Sequence, residues 1–289
     1  MSKPINESKL TIQLEGITEL WIKAEKEPQD FYQKLAVLLI DFNQIYNSDC
    51  EYFGYINAWR DLLSRFVRSK MSWDRVLENI KRKSFFCYQE FFDTYTSKHL
   101  EALRRHKENE TRNRISFRKR AFNAVQQYSK TEVIRVNLGY IKMYHHLVNI
   151  RSVYEDVAQF RKAISTRKKP FHDLIIYSLA IEQGADKGYH IHVALFFNGH
   201  KRQSGWGIAK DVGEAWKSIT GEKGCFHNGH DPETLQGYEE RGTLGIGRIH
   251  RDNETEVSNM LDTVDYLTRP NKEAQHLRVK LGPKMRTFQ

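Results

Sequence analysis

The chain has 289 residues, a formal net charge of +10 and a pI of about 9.3. Its 39% hydrophobic and 12% aromatic content is enough to bury one large core or two smaller ones, which excludes a wholly disordered chain. The basic surplus favours a polyanionic partner, usually nucleic acid. Three dispersed cysteines, Cys50, Cys87 and Cys225, form no CxxC pair, which argues against a disulfide framework or a cysteine-based zinc site. No apolar run approaches the ~20 residues of a membrane span, and the opening MSKPINESKL lacks the apolar centre of a signal peptide. A cytoplasmic protein with no membrane partner is expected.

Residues 1–110 read as a mostly helical region. Leu14, Ile17, Leu20, Trp21 and Ala24 fall at helical spacing. So do Phe31, Leu35, Leu38, Leu39, Phe42 and Ile45. A third helix is expected from Tyr55 to about Ser69, and a fourth opening at Ser72 and carrying Phe85, Phe86, Tyr88, Phe91 and Phe92. Those aromatics suit a bundle core better than a base-stacking platform. The chain then turns strongly basic. A boundary is expected near Glu108 to Arg114, and residues 111–130 read as a basic helix or linker whose Arg118, Lys119 and Arg120 could grip phosphate or simply face solvent.

A second domain is expected over 131–289. TEVIRVNLGY alternates as a strand does, with Val133, Arg135 and Asn137 on one face. A helix is expected over Val153–Ile164. Next comes LIIYSLAIEQGADKGYHIHVALFFN, from Leu174 to Asn198, which reads as two strands joined at Gly184 and Gly188. Side chains two apart on a strand share a face. His190 and His192 therefore point the same way. Pairing Glu182 with His190 puts Ala180 opposite His192 and Ser178 opposite Ala194, all on one face. Leu179, Ile181, Ile191, Val193, Leu195 and Phe197 form the other, a core face. A helix over Trp206–Ile219, an irregular polar loop over Glu222–Glu240 and a glycine-interrupted strand over Gly242–Asp252 follow. The last helix opens at Asn253 with Glu256 three residues on. It is lined by Val257, Met260, Leu261, Val264 and Leu267 and stops at Pro270. At about 100° per residue, Tyr266 falls opposite that apolar stripe. The element order suits an α+β domain, an antiparallel sheet with helices on one side.

Two imidazoles and a carboxylate are ligands a divalent ion could use. On a basic protein that suggests phosphodiester chemistry, with a tyrosine phenolate as nucleophile. Tyr266 is the first choice by helix face and Tyr238 the second. Cys225, His227 and His230 form a CxHxxH cluster that could hold zinc, with no evident fourth ligand. An ordinary surface or core role for these histidines is the alternative.

GYHIHVALFFNG, the preceding Glu182 and the later DYLTRPNK resemble the HUH endonucleases. With the RVNL strand, the GEAW helix and the LRVKLGPKMRTF ending, they look closest to filamentous-phage (inovirus) and prophage replication initiators, the group described by the YagK/YfjJ C-terminal domain. The resemblance covers about Thr131 to Gln289. It implies Glu182, His190 and His192 as ligands of Mg2+ or Mn2+ and Tyr266 as the nucleophile that nicks one strand of single-stranded or extruded origin DNA. The product is a 5′-phosphotyrosine link and a 3′-OH that primes rolling-circle replication. Arg269 stands where the family commonly has lysine. It keeps the positive charge but not a ready proton-transfer group. Arg135, Asn137, Lys201, Arg202, Lys284 and Arg286 are the expected DNA contacts, and residues 1–110 could bind duplex DNA, oligomerise or recruit a host helicase or polymerase. A plasmid or conjugative relaxase, a nuclease-inactive DNA-binding regulator, and a metal-dependent hydrolase of another substrate are the alternatives.

Overall fold

The computed structural model describes residues 4–67, 72–267 and 275–289. The chain divides into two compact units, residues 1–106 with 276–285, and residues 107–275 with 286–289. The tail is thus shared between the two. The division falls inside a single uninterrupted helix, Thr96–Gln126, where the sequence suggested a break near Glu108 to Arg114.

The first unit is helical, as expected. It holds α1 (Glu7–Ile22), α2 (Phe31–Ile45), α3 (Ile56–Phe66), α4 (Trp73–Lys81), α5 (Phe85–Asp93) and the start of α6 (Thr96–Gln126). The helix expected to open at Ser72 is two helices, α4 and α5. Of the aromatic run, Phe85, Tyr88 and Phe92 become core, whereas Phe86 is exposed, and Phe85 packs edge-on to Phe31. The Gln89 side-chain amide donates to the carbonyls of Trp21, Ile22 and Ala24, serving acceptors that a helix end leaves open. A two-residue strand, β1 (Glu51–Tyr52), pairs antiparallel with β7 (Val279–Lys280) from the tail. Beside it lies a buried ionic cluster. Arg278 donates through Nε to Glu15 Oε2 at 2.6 Å, and His276 Nε2 donates to Glu15 Oε1 at 2.8 Å.

The second unit is built on an antiparallel sheet. Its strands are β2 (Lys130–Tyr140), β3 (Leu174–Gly184), β4 (Gly188–Asn198), β5 (Gly224–Asn228) and β6 (Gly247–His250), in the order β3-β4-β2-β5, with β6 also paired to β2. The class is α+β. Residues 287–289 and Gln275 bond the backbone of β3 at Leu179, Ile181 and Gln183, so this edge of the sheet is not bare. On one face α7 (Ile150–Ser165) and α8 (Gly205–Ile219) cover Tyr140, which meets Trp216 edge-on and donates to Asp156. Gly213 lets α8 lie close: a Cβ there would stand 2.3 Å from the Phe226 ring.

Helices were expected on one side only, but the other face is covered too, over half its length. Phe117, Ala121 and Val125 of α6 and Val257, Met260 and Val264 of α10 (Glu254–Leu267) form one buried cluster with Val133, Ala194 and Phe196. The apolar stripe on α10 demanded such a partner, and the residues that supply it alternate with the opposite face of β2 and β4. The expected loop over Glu222–Glu240 contains β5 and a helix, α9 (Pro232–Glu240). Asn253 Oδ1 accepts from the Glu256 N–H at 3.2 Å, as the Asn-x-x-Glu spacing implied.

Candidate metal centre

The half of the second face left open by α6 and α10 carries the histidines. The β3–β4 register pairs Glu182 with His190, Ala180 with His192 and Ser178 with Ala194, as the alternation required. The turn is made by Gly188 at φ 63°, a conformation that costs glycine little. On the other side of β4, β2 places Asn137 opposite His192 and Arg135 opposite Ala194.

These pairings converge three ligand-bearing side chains. Nε2 of His192 lies 3.0 Å and Nε2 of His190 3.4 Å from Oε2 of Glu182. All three residues are buried, at 5–7% exposure, and their ligand atoms lie within 4.8 Å of one another. The other ring nitrogens are tied down: His190 Nδ1–H donates to the Gly188 carbonyl at 3.1 Å, and His192 Nδ1–H donates to Asn137 Oδ1 at 2.6 Å. With these two oxygens as partners, a neutral ring carries its proton on Nδ1 and presents a lone pair at Nε2. Two lone pairs and a carboxylate oxygen then face a common point. Nε2 of His192 also stands at hydrogen-bond distance from Oε2 of Glu182, 3.0 Å, so that point can take either a proton or a metal ion. Two imidazoles and one carboxylate suit a divalent ion and leave coordination positions for water or substrate.

Tyr266 sits near the end of α10 and is 40% exposed. The Arg135 guanidinium lies over its ring, 4.9 Å from the centroid, and Arg135 stands two residues from Asn137 on the same face of β2. Helix α10 therefore delivers Tyr266 to the open side of the sheet. Arg135 Nη1 also donates to Tyr238 Oη at 3.0 Å, so the two tyrosines singled out in the sequence share one arginine. Arg269 lies outside the described residues.

The other expected contacts do not gather here. Lys201 pairs with Asp173 at 3.1 Å. Arg202 donates to the Pro170 carbonyl and covers Phe197. Both follow Asn198, about 20 Å along β4 from His192 at ~3.3 Å per residue. Lys284 belongs to the first unit, and the Arg286 carbonyl accepts from Arg161. Arg118 is paired with Asp265 of α10 at 2.7 Å rather than left for phosphate. The CxHxxH cluster separates: Cys225 and His227 lie on β5 opposite Gly139 and Asn137, whereas His230 is buried beyond the strand end, where its Nε2 accepts from the Arg135 backbone N–H. Burial pushes the His230 pKa down to about 4. Among the described residues, Glu182, His190 and His192 form the only group placed to hold a metal.

The family model of the YagK/YfjJ C-terminal domain matches residues 94–282. The chain belongs to that family. The match begins well before the motif-bearing stretch, taking in the whole of α6, and so the YagK/YfjJ domain here includes both layers that cover the sheet as well as the candidate metal centre. No curated protein and no solved structure matches the chain. No helix among the described residues is long and apolar enough to cross a membrane.

Proposed function

We propose that this chain is an HUH-type endonuclease that nicks one strand of DNA through Tyr266, and that the nick starts rolling-circle replication of a phage-like or prophage element. The observation that carries the reading is the convergence of Glu182, His190 and His192 on one point, with both Nδ1 protons held away from it, on the face to which α10 brings Tyr266. A net charge of +10 draws DNA to the protein.

Glu182, His190 and His192 would hold Mg2+ or Mn2+, which when bound supplies charge stabilisation at the non-bridging oxygens of the scissile phosphate. The rest is the work of the chain. Gly188 and Asn137 fix the two rings. Arg135 holds the Tyr266 ring. The Tyr266 oxygen attacks phosphorus and gives up its proton, the P–O3′ bond breaks, and the departing 3′ oxygen takes up a proton. One phosphodiester is exchanged for a 5′-phosphotyrosine and a free 3′-OH. No net bond energy is lost, so attack by a 3′-OH can run the step backwards and rejoin strands.

The test is incubation with Mn2+ and labelled single-stranded oligonucleotides tiling the DNA around the chain's own coding region, read on a denaturing gel. A covalent adduct that disappears in Tyr266→Phe and in EDTA is expected. Binding without any adduct would make the protein a DNA-binding regulator, and an adduct that persists in Tyr266→Phe would assign the nucleophile elsewhere.

A further inference from the structure

Beside His190 the sheet splays. The β2–β4 ladder ends at Leu138 and Ile191, while β2 runs on against β5 as far as Tyr140 and Gly224. The two strands part there, and a cleft of about 440 Å3 opens between Asn137, Gly139, His190, Cys225, His227 and the hairpin tip. It shares His190 with the metal centre. Its floor is kept low by Gly139, where a Cβ would reach ordinary contact with Cys225 and His190, at 3.7 and 3.9 Å. The Gly139 carbonyl is held by the Trp216 indole N–H, so the floor is fixed from behind.

The lip of the cleft is unusual in two ways. Lys142 and Lys187 both line it and both are exposed, and neither has an ion-pair partner among the described residues. The short 3-10 helix Lys142–Leu147, which lends Lys142 and His145 to the cleft, contributes no buried residue, and with Ile141 it exposes three large apolar side chains: Ile141 at 38%, Met143 at 67% and Leu147 at 55%. Unpaired cations beside bare apolar side chains, around a slot with donors and acceptors at its walls, suit a ligand with alternating charge and flat apolar surface. Single-stranded nucleic acid has that pattern, and duplex DNA, whose bases are stacked inside, does not.

We propose that this cleft binds one unstacked nucleotide of the strand that crosses the metal centre. The base lies over Gly139 and Cys225, the flanking phosphates meet Lys142 and Lys187, and a neighbouring base rests on Met143 and Leu147. Asn137 and Asp186 stand at the walls as a donor and an acceptor for the base edge. The proposal rests on DNA being the substrate but not on nicking.

Binding of a fluorescein-labelled mixed-sequence single strand, and of its duplex, to the full chain in EDTA tests this without chemistry or metal. Lys142→Ala/Lys187→Ala and Gly139→Leu are each expected to weaken single-strand binding about tenfold and duplex binding much less. Losing two phosphate contacts lowers the slope of log affinity against log salt by about 1.4, from ~0.7 per contact, a change that a merely structural defect does not produce. The lysine pair is on the surface, so its result stands even where Gly139→Leu disturbs the fold. Unchanged single-strand binding in the lysine pair, or equal loss for single strand and duplex, overturns the proposal. A chain that fails to form an adduct yet shows the selective loss keeps the cleft and discards the nickase; an adduct-forming chain with no such loss does the reverse.

Discussion

The Asn137 carboxamide is not one of the three groups that face the metal point, yet replacing it should weaken metal binding. Asn137 Oδ1 accepts the His192 Nδ1 proton at 2.6 Å. In Asn137→Ala a neutral His192 is free to carry its proton on Nε2, the atom that faces Glu182 at 3.0 Å, and in that tautomer it offers no lone pair to an ion. Loss of a partner of this kind typically costs 10–100-fold in metal affinity, or about 1.4–2.8 kcal/mol at 1.4 kcal/mol per factor of ten. Titration of the full chain with Mn2+, reading free Mn2+ by electron paramagnetic resonance, measures it. Asn137→Asp keeps an acceptor in place and should stay within about threefold of the unaltered chain, whereas Glu182→Ala removes a ligand and should lose more than Asn137→Ala. Asn137→Ala within about twofold of the unaltered chain would refute the claim that this hydrogen bond sets the tautomer.

Four further outcomes follow from the fold. Arg135→Gln should keep Mn2+ affinity but slow adduct formation, because the guanidinium over Tyr266 and the bond to Tyr238 are both lost; unchanged adduct kinetics would remove Arg135 from the positioning of the nucleophile. In the first unit, Arg278→Met should cost about 3–5 kcal/mol in urea unfolding, since it leaves the buried Glu15 carboxylate without its permanent counter-charge. That unit should also weaken in acid. Burial holds His276 and His99 below their ordinary value of 6.5. Burial alone would raise Glu15, but the bond from His276 and the nearby positive charges outweigh it and lower Glu15 below 4.5. Groups whose folded pKa is lowered stabilise the fold above their ordinary values and lose that contribution as pH falls through the folded ones. Thermal stability should therefore drop once the pH falls below about 6.5 and further below about 4.5; a rise would contradict the cluster's role. Finally, Gly213→Ala should destabilise by about 1–3 kcal/mol through the clash with Phe226, more than its gain in helix propensity, and a higher urea midpoint would exclude that contact.

The hairpin was legible because its signals are local. Gly184 and Gly188 bound the turn, strict alternation fixes the faces, and a register one residue away would have turned the histidines into the core. The place of Tyr266 followed from helical period alone. The partners those elements choose were not legible. Nothing in the local pattern sets Asn137 against His192, since that depends on the β2–β4 register across more than 50 intervening residues. Likewise Arg118 reads as a loose cation until Asp265 is brought to it by the packing of α6 on α10. Strand β5 escaped because Cys225, Phe226 and His227 are only half-buried or exposed, which erases the alternation a longer strand would show. Helix α9 did leave a signal, Pro232 at its first turn after Asp231, the position where proline's missing N–H costs nothing. The second helical layer was hidden for another reason: Val133, Ala194 and Phe196 share a face with the histidines, and half an apolar face reads as polar when the other half carries a site.

On the proposed function, the metal-ready trio and Tyr266 act on one phosphate. Protease digestion and mass spectrometry of the chain after reaction with Mn2+ and its cognate oligonucleotide locate that phosphate on the protein. The expected result is a single modified peptide with the 5′-phosphate of the downstream strand on Tyr266, absent when His192 is replaced by alanine. A phosphate on Tyr238, or a modified Tyr266 in the His192→Ala chain, would contradict it.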